Sequence, residues 1–89
     1  MSESFNSLSV VQLPMKRHLE ARYERFCELL VEARKEAGLS QEVVAEKLGW
    51  NQSYISKCES GVRRLDVVEF LEMMEALGSD PVAFIKKLK

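Results

Sequence analysis

From Ser40 to Gly61 the chain reads SQEVVAEKLGWNQSYISKCESG, and few folds can accommodate that stretch. Val44, Ala45 and Leu48 recur at spacings that share one helical face, while Gln41, Glu42, Glu46 and Lys47 fall mostly on the other. Ser40 stands ahead of the run as an N-cap whose hydroxyl can accept from the Val43 N–H, without the glutamate that would complete a capping box. Gly49 ends this helix, because the residue after a helix commonly takes positive φ and only glycine does so at little cost. Asn51 then caps a second helix, Gln52 to about Ser60, in which Ile55 and Cys58 point the same way. The stretch therefore predicts two short amphipathic helices joined by a tight turn. Val44, Leu48, Trp50, Ile55 and Cys58 face inward, and Ala45 is small where the helices cross.

The outward set of the second helix is Gln52, Ser53, Ser56 and Lys57, with no acid before Glu59. A face left only to water is more often rich in glutamate and lysine. Amide, hydroxyl and ammonium groups gathered near a helix N-terminus suit base edges and phosphates in a DNA major groove.

Residues 23–80 resemble the Xre/Cro-type helix-turn-helix family of phage repressors and bacterial regulators. Gln41, Ala45, Gly49, Gln52, Ile55, Glu59 and Gly61 all stand at that family's spacing. The resemblance implies an all-α, five-helix lambda-repressor-like domain that binds double-stranded DNA. It also implies that Gln52, Ser53 and Lys57 face bases with Ser56 beside them, and that Gln41 touches a phosphate and braces Gln52. Asn51 and Tyr54 are assigned to phosphates with it. The loop carrying Arg63 and Arg64 would lie on the DNA backbone, each arginine either clamping phosphate or pairing with Glu59 or Asp66. Glu59 is expected to be structural, near Arg63 or Arg64. Two positions depart from the pattern: Val43 replaces a polar residue and Trp50 a smaller aliphatic one.

Eighty-nine residues allow one small domain. Cys27 and Cys58 belong to no Cys-x-x-Cys pair and are expected as reduced core residues. A redox switch at Cys58 is the alternative, with Lys57 as the one neighbouring cation. His18 stands alone, so neither a metal nor a cofactor is expected. No nucleophile–base pair and no phosphate-binding glycine loop argues for an enzyme; the glycines at 38, 49, 61 and 78 read as helix stops. No apolar run nears the roughly 20 residues of a membrane span, and the N-terminus lacks a signal-peptide pattern, so a cytoplasmic protein is expected. The net charge of −1 is unevenly spread: residues 16–64 carry ten Lys and Arg against eight Glu, whereas residues 65–80 carry five acids and no base.

Residues 1–13 are expected to be an N-terminal arm, flexible or covered by a partner, ahead of a domain spanning 14–89. Pro14 suits a first helical turn, and a lengthened first helix is predicted from about Met15 to Ala37, on the stripe Leu19, Tyr23, Phe26, Leu30, Ala33 and Ala37. Arg34 and Lys35 close it at its negative dipole end. Asp66 starts a fourth helix, and Asp80–Pro81 a fifth. The fifth helix carries more apolar surface than one face can hold, so Phe84, Ile85 and Leu88, with Phe70, are assigned to a homodimer interface.

These readings converge on a sequence-specific transcriptional regulator, a repressor binding an inverted-repeat operator as a homodimer. Two alternatives share the fold: an antitoxin-type interaction module using residues 1–13 for a protein partner, and a restriction-modification controller.

Overall fold

The computed structural model describes the backbone of residues 8–89 and the side chains of residues 20–89. Over that range the chain forms five helices: α1 (Leu8–Glu36), α2 (Gln41–Leu48), α3 (Gln52–Ser60), α4 (Val67–Leu77) and α5 (Pro81–Leu88). Among the described residues there is no strand, so the all-α expectation holds.

The helix boundaries are set by local chemistry. Ser40 accepts from Val43 N at 3.1 Å, as its position predicts. Asp66 and Glu69 form a full capping box on α4, at 2.7 and 3.0 Å. Asp80 accepts from Val82 N at 3.0 Å, with Pro81 in the first turn of α5. At the turn between α2 and α3, Gly49 has φ 70°, and the amides of Gly49 and Trp50 fold back onto Glu46 and Ala45.

The first helix differs from expectation at its start. It begins at Leu8, so residues 8–13 of the expected arm are helical and Pro14 lies in the helix interior. A proline in a helix interior removes one amide donor and crowds the carbonyl four residues back, a cost of about 3 kcal/mol that this helix of 29 residues carries. Residues 1–7 of the arm, and the partner role given to residues 1–13, fall on positions whose side chains lie outside the described residues.

The core joins all five helices. Phe26, Cys27, Leu29, Leu30 and Ala33 of α1 meet Val44 and Ala45 of α2, Ile55 of α3, Phe70, Met73, Met74 and Leu77 of α4, and Phe84 of α5. Cys58, fully buried, lies on the same inner side of α3. The rings of Phe26, Phe70 and Phe84 pack mutually, with centroids 5.1 to 5.6 Å apart. This corrects the interface assignment. Phe70 and Phe84 are 8% and 6% exposed inside the chain's own core, because α4 and α5 fold back on α1 and bring the three rings together. Leu88 is half-buried against that core, and Ile85, at 42% exposure, is the one of the four that faces solvent. Exposed apolar side chains lie elsewhere on the same two helices, at Val67, Val68, Leu71 and Val82.

Candidate nucleic-acid interface

Each residue of α3 turns about 100° from the last, which sorts its side chains into an outer face and two flanks. Ile55 and Cys58 are buried, while Gln52, Ser53, Ser56, Lys57 and Ser60 form one exposed strip. The side chains of Gln52, Ser53, Ser56 and Lys57 make no hydrogen bond to another described residue, and no acid interrupts the strip. The structure thus brings together all four side chains that the sequence assigned to bases. Asn51 occupies the N-cap position of α3 but makes no capping hydrogen bond, so its amide is exposed at the head of the same strip.

One flank of α3 is held by Glu59. Arg34, from the last turn of α1, reaches it with Nε at 2.6 Å and Nη2 at 3.2 Å, while its Nη1 donates to the Leu39 carbonyl at 2.9 Å. Gln41 at the start of α2 donates Nε2 to the same carboxylate at 2.9 Å. Glu59 is therefore structural as expected, but its partners are Arg34 and Gln41. The loop arginines point elsewhere, and Gln41 braces Glu59 instead of Gln52. The side chains of Arg34 and Glu59 are only 14% and 8% exposed, so water does little to screen their attraction.

The other flank is held by Tyr54. Its hydroxyl donates to Glu69 Oε2 at 2.7 Å, tying α3 to the first turn of α4, and its ring packs edge-on against Trp50 at 4.9 Å. The phenol expected at phosphate is thus committed to a carboxylate. Burial and then the neighbouring Glu69 push its pKa up. Glu69 is held below the usual carboxylate range, first by accepting from the Asp66 N–H and then from Tyr54. The Arg63 guanidinium lies over the Tyr54 ring at 5.1 Å and 3.9 Å from Glu69, while Arg64 lies over the Tyr23 ring of α1 at 4.2 Å. Neither arginine pairs with Glu59 or Asp66.

The remaining expected residues are structural. Cys27 and Cys58 are free and buried, with the Cys27 thiol donating to the Cys58 carbonyl at 3.5 Å. Burial pushes the Cys58 thiol up to about 11 and raises Cys27 as well, which opposes thiolate chemistry at either. Among the described residues no group of three or more His, Cys, Asp and Glu could hold a metal ion, and no helix is long and apolar enough to cross a membrane.

Sequence reasoning missed the partners of Arg34 and the role of Tyr23. The signal for the first was the lone acid on α3: a carboxylate on a helix otherwise turned toward a polyanion calls for a cation from inside the domain.

Comparisons with known proteins agree with this geometry. A helix-turn-helix family profile matches residues 30–84. The chain is 38% identical over 52 residues to the HTH-type transcriptional regulator y4dJ of Sinorhizobium fredii, covering 58% of this chain and 68% of that one. Among solved structures, an XRE-family like protein from Pseudomonas syringae pv. tomato superposes with TM-score 0.80 at 44% identity, over 84% of this chain and 92% of the other. The restriction-modification controller protein C.AhdI from Aeromonas hydrophila gives TM-score 0.66 at 34% identity, over 72% and 97%. A further controller protein, solved as a tetramer in complex with its natural 35 base-pair operator, gives 0.68 at 27% identity, over 75% and 88%. With five helices among its described residues, its paired short helices and its exposed polar strip, the chain belongs to the Xre-type helix-turn-helix family of DNA-binding transcriptional regulators.

Proposed function

We propose that the chain is a sequence-specific repressor that binds an inverted-repeat operator as a homodimer. The observation that carries this reading is the strip Gln52, Ser53, Ser56 and Lys57, whose donors and acceptors face solvent with no hydrogen bond to another described residue while both helix flanks are braced. Gln52 and Lys57 would read bases, and Ser53 and Ser56 would contact bases beside them. Asn51, Arg63 and the remaining amide proton of Gln41 would meet phosphates at the edges.

The pairing surface in this reading is the apolar face shared by α4 and α5. Val67 and Leu71 of α4 are one turn apart, and Val82 and Ile85 of α5 are i,i+3, so each pair shares a helix face. One shallow groove is lined by both Val67 and Ile85, and a second by Leu71 and Pro81. In this reading a two-fold axis passes through these side chains, and the two α3 helices meet successive major grooves.

Likeness to restriction-modification controllers favours a narrower second reading, in which the regulated genes are a restriction-modification pair. Selection from a random duplex library tests both. The expected product is an inverted repeat with half-site centres ~10 base pairs, or a multiple of one helical turn, apart. Its occurrence upstream of a restriction-modification gene pair would support the second. A library that yields no consensus would remove both.

A further inference from the structure

The two arginines of the α3–α4 loop are adjacent in sequence but diverge in space, and their surroundings differ in kind. Arg63 lies over Tyr54, on the flank of α3 next to the exposed strip. Arg64 lies over Tyr23, which belongs to α1 and packs against Phe26 at 5.1 Å. Tyr23 also supplies the loop with a backbone partner: its hydroxyl accepts from Leu65 N at 3.2 Å. Within the loop, the Gly61 and Arg63 amides turn back to carbonyls of α3, at 3.3 and 3.1 Å. The Leu65 amide is held from α1 instead. One tyrosine therefore holds two consecutive loop residues, Arg64 through its ring and Leu65 through its hydroxyl.

From this arrangement we infer that Tyr23 and Arg64 act as a strut between α1 and the loop, and that the phosphate contact belongs to Arg63. Arg64 is a positioning residue, as is Tyr23: the strut fixes where the loop crosses and hence how far Arg63 stands from the DNA backbone. Both arginines stack on a tyrosine, and Arg63 also stands 3.9 Å from Glu69, so what separates them is place: Arg63 lies on the flank of the exposed strip, while Arg64 is turned toward α1. Arg64 also borders a groove about 830 Å³ in volume lined by Glu20, Glu24, Glu28 and Glu32 of α1, of which Glu28 and Glu32 are paired with Arg25 at 3.1 and 3.5 Å. The inference rests on the proposed DNA reading, because a positioned arginine needs a phosphate to meet.

The test compares salt dependence across variants of the full chain on its selected operator. A phosphate ligand and a strut give different signatures in combination: independent ion contacts each lower the slope of log affinity against log salt by about 1 and their losses add, whereas a strut acts only through the arginine it positions. Arg63→Ala is expected to weaken binding at low salt and flatten the slope. Arg64→Ala and Tyr23→Leu are each expected to weaken it roughly three- to tenfold, their combination to cost no more than either alone, and neither to lower affinity or slope further when added to Arg63→Ala. Tyr23→Phe keeps the ring and loses the Leu65 contact, so it should fall between the parent and Tyr23→Leu, with far-ultraviolet circular dichroism like the parent's. An Arg63→Ala/Arg64→Ala protein whose slope falls by about 1 below that of Arg63→Ala would make Arg64 a phosphate ligand and overturn the strut. So would parent-like affinity in both Tyr23 variants. If Arg63→Ala itself left affinity and slope unchanged, the DNA-backbone reading of the loop would fail, and the strut with it.

Discussion

Replacing Glu59 with leucine should be among the most damaging single changes this chain can suffer, although the residue has no contact with a base in the proposed complex. The carboxylate accepts two hydrogen bonds from Arg34 and one from Gln41, at 2.6, 3.2 and 2.9 Å, and its side chain is 8% exposed. Without it the guanidinium stays largely buried with only the Leu39 carbonyl as partner, and the Gln41 amide loses its acceptor. Removing one member of a buried pair costs about 3 to 5 kcal/mol, and the 14% exposure of Arg34 places this case toward the lower end. A chain of 89 residues holds roughly 4 to 13 kcal/mol in total. With a urea dependence of about 1 kcal/mol per molar, the unfolding midpoint should fall by roughly 3 M, which circular dichroism resolves easily. Adding Arg34→Met removes the stranded charge, so the double variant should be more stable than Glu59→Leu alone. A Glu59→Leu protein within about 1 kcal/mol of the parent, or a double variant whose loss equals the sum of the singles, would refute this account of the flank.

Three further outcomes are expected. Gln52→Ala and Lys57→Ala should each weaken the selected operator by about 1 to 3 kcal/mol and relax discrimination at one position, and unchanged binding curves would show that the strip does not read bases. The Tyr54–Glu69 bond should be pH-dependent: with its pKa lowered in the fold, Glu69 contributes stability that is present above the ordinary carboxylate range and lost as pH falls through its folded value. The stability gap between the parent and Tyr54→Phe should therefore narrow in acid, and a gap equal at pH 3 and pH 7 would contradict it. Ile85→Asp should shift sedimentation to that of a monomer, whereas a variant that still pairs would move the interface off the α4–α5 face.

Local signals were the most legible part of the sequence. Ser40, Asp66 and Asp80 cap where their positions predict, and the glycines at 38, 49, 61 and 78 all take positive φ. Such features depend on neighbours within four residues, which a sequence displays directly. The inward face of α3 was equally clear, because Ile55 and Cys58 stand alone among polar residues. On α4 the pattern failed. Val67, Val68, Phe70, Leu71, Met73, Met74 and Leu77 leave periodicity little polar contrast to work with, and the structure buries Phe70, Met73, Met74 and Leu77 while exposing the other three. The same ambiguity put Phe84 on a surface, since nothing along α5 says that Phe26 and Phe70 await it. The braces of α3 were hidden for another reason: Arg34 and Glu59 are 25 residues apart, and their pairing follows from how three helices cross.

Phe84 is the one buried residue of α5, a helix of eight residues. Peptides so short do not stay helical by themselves in water, so this segment is latched by the Phe84 ring with Leu88 packed beside it. Its amides should be the first of the five helices to exchange with deuterium in dilute solution. Where a companion molecule covers Val82 and Ile85, closing the latch and finding that companion become one event, and protein abundance then governs how much of the population has its last helix shut.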